Sequence, residues 1–179
     1  YRYTYTRTAA TGDGDGLKTA TVTATDAAGN VKVQDVGAVT YDFTLPAVSS
    51  SSGTPSPAWL GKVLTYALNA SEPLLSDPAL TVNPALVLSG PVKSGTLYTW
   101  TRTINGTETQ GAYTVTANLT DLAGNAVSGL SAAGFTVDRN PPTIATGPVL
   151  NKAPAFYKVG DTVTVTFTTS EDLDLTLPV

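Results

Sequence analysis

The sequence contains no cysteine, no histidine and no methionine. Without thiols and imidazoles, disulfides, thiolate nucleophiles, haem, ordinary zinc sites and the usual general base of a hydrolase triad are all excluded. Charge is scarce as well. Asp, Glu, Lys and Arg make up 13% of 179 residues, and 14 acidic against 10 basic residues without a basic cluster argue against nucleic acid as a partner. No apolar run is long enough to cross a bilayer, and no signal-peptide pattern opens the chain. A chain that begins Tyr1-Arg2-Tyr3 and ends inside a strand-like run is expected to be a piece of a longer one. What remains is 41% hydrophobic residues among Thr, Ser, Gly and Pro, a composition common in secreted all-β modules.

An internal repeat organises the chain. "YTYTRT" starting at Tyr3 returns as "YTWTRT" starting at Tyr98, 95 positions on, and Gly16, Asp26, Gly29 and Asn30 return at the same offset as Gly111, Asp121, Gly124 and Asn125. "VTYDFTLP" around Asp42 matches "FTVDRNPP" around Asp138, one residue further displaced. Another half recurs 99 positions on, with Gly61, Ser71 and Glu72 returning as Gly160, Ser170 and Glu171. The pattern predicts residues 1–46 as the C-terminal part of a first repeat, 47–139 as a complete second repeat, and 140–179 as the N-terminal part of a third. A unit of roughly 95 residues has the size of an immunoglobulin-like sandwich. The two partial repeats are expected to be completed by flanking chain rather than by other copies in a fibre.

Strand periodicity agrees. Val163, Val165 and Phe167 alternate with Thr, and Tyr113, Val115, Ala117 and Leu119 alternate with polar residues, as half-buried antiparallel strands require. Tyr98 and Trp100 are expected in the core of the second repeat, with Tyr3 and Tyr5 in the same places in the first. The Ser- and Pro-rich stretch 45–58 reads by composition as a linker, and so does its counterpart 140–155; their prolines would restrict them.

The run "GAYTVTANLTDLAGNAVSG…FTVDRNPPTI", followed by "YKVGDTVTVTFTTSEDL", resembles the bacterial immunoglobulin-like repeats found in tandem in large surface adhesins and other secreted proteins. The resemblance covers essentially the whole chain and rests on the Asp-x-x-Gly-Asn hairpin, the strand-ending Asp before prolines (Asp42, Asp138) and the Gly…Ser-Glu opening. It implies an all-β fold of tandem antiparallel sandwiches in an exported, cell-surface protein. The function expected is that of a spacer, adhesin stalk or extracellular fibre without catalysis; the alternatives are a glycan- or protein-binding module for a host ligand, or an accessory domain of a secreted enzyme. Expected partners are the neighbouring repeats of the same chain and other copies in a fibre, with no nucleic acid and no membrane insertion by this segment.

The recurring turn has two readings. As turn chemistry, the first Asp accepts backbone N–H groups two or more residues on, and Gly at the fourth position takes the positive φ that closes the turn. As a metal site, the resemblance implies calcium at repeat junctions, a hard cation that takes six to eight oxygens. That reading groups Asp121, Asn125 and Asp138 with Glu171 and Asp172 at one junction, and Asp26, Asn30, Asp42 and Glu72 at the other. The turn is the simpler reading because it needs no further coincidence of ligands.

The remaining motifs carry less. Asp13-Gly14-Asp15 opens like a calcium loop, but Ala24 stands where the twelfth-position Glu belongs. Asn69, Asn105 and Asn118 begin N-x-[ST] triplets, meaningful only in a glycosylating host. Lys62 and Lys158 are the lysines placed for an intramolecular isopeptide bond. Trp59, after the Pro-rich stretch, is the aromatic best placed for a ligand, although cover for a module junction explains it as well. Paired carboxylates for glycoside hydrolysis have no reason to recur in every repeat.

Overall fold

The computed structural model describes residues 1–152 and 156–173; positions 153–155, part of the stretch read as a second linker, and 174–179, the end of the third repeat, lie outside them. The fold is all-β and sandwich-like. Eleven strands are present among the described residues: β1 (Gly16–Thr25), β2 (Val31–Tyr41), β3 (Val48–Thr54), β4 (Val63–Ala70), β5 (Ala79–Asn83), β6 (Ser89–Ser94), β7 (Leu97–Thr103), β8 (Gly111–Thr120), β9 (Ala126–Val137), β10 (Ile144–Leu150) and β11 (Val165–Thr169). Contacts divide the chain into two units, 1–138 and 139–179.

Seven strands of the first unit build a complete sandwich. One sheet has the order β3-β4-β7-β6 and the other β5-β8-β9, all neighbours antiparallel. Four strands against three in this order is the arrangement of a constant-type immunoglobulin sandwich. Period two in the sequence becomes burial: on β4, Leu64, Tyr66, Leu68 and Ala70 point inward while their neighbours do not. They meet Tyr98 and Trp100 of β7, Tyr113, Val115, Ala117 and Leu119 of β8, and Phe135 and Val137 of β9. Each large side chain buried there contributes about 1.5–3 kcal/mol relative to exposure. The tyrosines also find partners for their hydroxyls: Tyr66 donates to the Ala133 carbonyl and Tyr113 to the Thr109 carbonyl, both at 2.9 Å. The bond from Tyr113 back to a residue four positions upstream, at the start of a strand, is the tyrosine corner of such sandwiches.

The stretch 45–58, read as a linker, holds strand β3, paired with β4 from Val48 opposite Ala70 to Thr54 opposite Thr65. The stretch 140–155 likewise contains β10, which pairs with β11. Small residues are there because β3 runs close over β9. The Ser51 and Ser56 hydroxyls accept the Ala133 and Thr136 N–H groups at 2.7 and 3.0 Å. A Cβ on Gly53 would stand 2.8 Å from the Cβ of Phe135. Gly53→Val is therefore expected to cost about 1–3 kcal/mol by overpacking, read as a lower urea midpoint with an unchanged slope; an unchanged midpoint would show that β3 can lift away freely.

The remaining strands form two hairpins, β1–β2 in the first unit and β10–β11 in the second. Unlike Tyr98 and Trp100, Tyr3 and Tyr5 lie 77% and 83% exposed before β1.

Candidate functional site

The two Asp-x-x-Gly-Asn turns are built by the same bonds. In the β8–β9 turn, Asp121 N–H donates to the Asn125 carbonyl, Gly124 N–H to the Asp121 carbonyl, and Ala123 and Asn125 N–H to Asp121 Oδ1 at 2.8 and 2.9 Å. Asn125 Nδ2 donates to Asp121 Oδ2 at 2.8 Å. Every one of these bonds recurs in the β1–β2 turn with Asp26, Ala28, Gly29 and Asn30. Glycine is required at the fourth position, where φ is 88° at Gly29 and 93° at Gly124. The two turns differ in their surroundings: Asp26 is exposed, whereas Asp121 has 0% exposure.

What buries Asp121 is the segment joining β2 to β3. Asn125 Nδ2, besides its bond to Asp121, donates to the carbonyls of Asp42 and Thr44 at 3.0 and 3.3 Å. From the other side Asp15 accepts the Phe43 N–H at 2.8 Å and the Thr44 hydroxyl at 2.5 Å. Ala47 and Ser71 exchange two bonds at 2.9 Å, and Pro46 is fully buried. Residues 42–47 are thus gripped by the first hairpin, by the turn after β8 and by the end of β4. Composition alone leads one to expect this junction to be the looser of the two.

Asp42, Glu72 and Asp121 come together here, with one carboxylate oxygen of each within 4.8 Å of the others. Asp42 and Glu72 are half-buried. Burial opposes the charge of Asp121, but the bonds from Asn125, Ala123 and Gly124 outweigh it and hold the carboxyl below its ordinary range. Glu72 lies above its ordinary range, through desolvation first and then through the charges of Asp42 and Asp121.

The nine acids and amides grouped by the calcium reading are therefore arranged differently. Gly111 pairs with Val137 and Thr120 with Ala126, so Asp121 and Asp138 stand at opposite ends of the β8–β9 hairpin, about 33 Å apart at ~3.3 Å per residue. Asp138 instead accepts Gln110 Nε2 at 2.8 Å. Asp26 and Asn30 are likewise at the opposite end of β1–β2 from Asp42, since Gly16 pairs with Tyr41. Glu171 and Asp172 belong to the second unit, where Glu171 is half-buried and Asp172 exposed. The sequence pattern correctly singles out these residue types, but the turn of a sandwich faces the junction before it, not the one after.

As a cation site the cluster fits in part. Three carboxylates converge, but the two oxygens of Asp121 already accept three hydrogen bonds, and Asp42 Oδ1 accepts the Thr44 N–H at 3.1 Å. A hard cation held by Asp42 and Glu72, with the free lone pairs of Asp121, would need several waters to reach six or more oxygens.

A second polar cluster has no counterpart among the expected sites. Glu108, 3% exposed in the loop between β7 and β8, accepts Arg102 Nε and Nη2 at 2.9 and 2.7 Å and the N–H groups of Asn105 and Gly106 at 3.1 and 3.0 Å. Arg7 and Asp13 repeat the pair before β1, with Asp13 also accepting the Ala10 N–H. Trp59 is 47% exposed, with the Lys62 ammonium 5.2 Å from its ring centre. Comparison with known proteins finds no matching family model, no matching curated protein and no matching solved structure.

Proposed function

We propose that this chain is a structural, non-catalytic segment of an extended extracellular surface protein, in which immunoglobulin-like modules follow one another in tandem and serve as a stalk or spacer. The observation that carries the reading is the joint at 42–47. A turn recurring in each copy donates its Asn125 amide to the carbonyls of the preceding segment, so the bonds that close the turn also fix the connection between copies. Modules whose contacts run mainly to their neighbours contribute length and stiffness and need no local chemistry.

The reading is tested by the stiffness of that joint. Spin labels at Thr23 on β1 and Thr81 on β5, both exposed, are expected to give a narrow distance distribution that broadens several-fold with Asn125→Ala. A broad distribution in the parent chain sinks the stalk reading.

Calcium at the cluster is the finer proposal. Glu72 has a folded-state pKa above its unfolded one, so its contribution to stability is present below the unfolded value and is lost as pH rises through the folded value. Near neutrality the three carboxylates repel, and either neutralising Glu72 or binding a cation relieves them. Glu72→Gln is expected to raise the thermal midpoint by a few degrees in EDTA, and millimolar calcium to do the same for the parent but not for the variant. If calcium moves neither, the joint is held by its hydrogen bonds alone.

A further inference from the structure

We propose that the β1–β2 hairpin and the segment before it form an acceptor face for the β10–β11 hairpin of a second copy of the chain, so that copies join head to tail by building a sandwich between them. The proposal stands whether or not the chain is a stalk. Its template is the complete sandwich itself.

Residues 1–42 repeat the half of that sandwich built by β7, β8 and β9. Tyr3 and Tyr5 stand for Tyr98 and Trp100, and the Arg7–Asp13 pair stands for Arg102–Glu108. Gly16 opposite Tyr41 repeats Gly111 opposite Val137, and Thr25 opposite Val31 repeats Thr120 opposite Ala126. The β10–β11 hairpin repeats β3–β4. Ser170 and Thr143 exchange the two bonds, each 3.0 Å, that Ser71 and Ala47 exchange, and Val165 and Phe167 stand for Tyr66 and Leu68.

In the complete sandwich β4 lies antiparallel on β7, with Tyr66 opposite Trp100 and Leu68 opposite Tyr98. All four are at most 5% exposed. Their counterparts are open: Tyr5 is 83%, Tyr3 77%, Val165 51% and Phe167 46% exposed. Tyr3 and Tyr5, with Val22, Ala24 and Val31 of the hairpin, line a hollow of about 700 Å³. Apolar faces of this kind mark interaction sites, and a lone two-stranded hairpin is marginal without a sheet to pack on. Placed by the template, Val165 of the second copy comes opposite Tyr5 and Phe167 opposite Tyr3, and main-chain bonds along the added strand supply affinity. Donor and acceptor are different surfaces, so the contact is heterologous and propagates.

That asymmetry gives the test. The full chain, followed by sedimentation velocity, is expected to exceed twice its 18.4 kDa mass as its concentration rises through the micromolar range. Tyr5→Asp removes the acceptor and Phe167→Asp the donor; each alone is expected to be monomeric, and an equimolar mixture to form a dimer that grows no further. Neither residue belongs to the seven-stranded sandwich, so its unfolding transition should be unchanged in both variants and reports that they fold. A parent chain that stays monomeric, a single variant that assembles like the parent, or a mixture that stays monomeric each overturns the proposal.

Discussion

Asp121→Ala is expected to lower the thermal midpoint of the sandwich by 10 °C or more, as an order of magnitude, while Asp26→Ala in the same turn of the first hairpin is expected to move it by no more than about 1 °C. The two aspartates accept the same bonds from the residues two and four positions on. Losing the acceptor has a different consequence in each place. Around Asp26 water reaches the freed N–H groups. Asp121 has 0% exposure beneath the 42–47 segment, so the Ala123 and Asn125 N–H groups and the Asn125 amide lose their partner where solvent replaces it poorly. Each buried donor left unpaired costs about 1–3 kcal/mol, and in a sandwich of this size each kcal/mol is worth about 4–8 °C. Asn125→Ala is expected to fall between the two, because the Asp42 and Thr44 carbonyls that it deserts are only partly covered. Circular dichroism melts of the full chain decide the matter: equal effects at Asp26 and Asp121 would mean that the turn acts alone and the joint adds nothing.

The turn is legible in the sequence because its chemistry is local. Asp, Gly and Asn at fixed spacing suffice to predict which N–H groups are bound and where φ turns positive. Strand faces are legible for the same reason, since alternation along β4 or β8 needs no partner to be read. What stays hidden depends on which end of a long hairpin meets which neighbour. Asp121 and Asp138 lie 17 positions apart in the sequence, near enough to suggest one site, but a turn at one end and a strand exit at the other separate them by the full length of the sandwich. Residues 45–58 mislead for a different reason. Ser, Gly and Pro mark flexible linkers, yet the same small side chains are what an edge strand needs where its backbone passes within contact of Phe135. The Arg102–Glu108 pair does leave a signal in the sequence, though a faint one. Arg and an acid six positions apart recur as Arg7 and Asp13, at the offset of 95 that relates the other landmarks of the repeat.

That pair carries the second large effect. Glu108 is opposed by burial, but bonds from Arg102 and from the Asn105 and Gly106 N–H groups overcome the penalty and hold its carboxyl below the ordinary value of 4.5. A carboxyl whose folded-state pKa is depressed contributes stability that is fully present above its unfolded pKa and is lost as pH falls through the folded one. Glu108→Gln is therefore expected to lower the midpoint by about 5–15 °C near neutrality, since the amide cannot accept from both Arg102 and the loop N–H groups at once. The gap between parent and variant should narrow as pH drops below 4.5, because the parent then loses what the variant never had. Other acids titrate in the same range, with Asp121 contributing in the same sense and Glu72 in the opposite one. For that reason the difference between the two melting curves, not the parent's own acid limb, is the quantity to follow. A gap that stays constant down to strongly acidic pH would assign the loss to packing in the 104–110 loop and would remove the ionised carboxylate from the account.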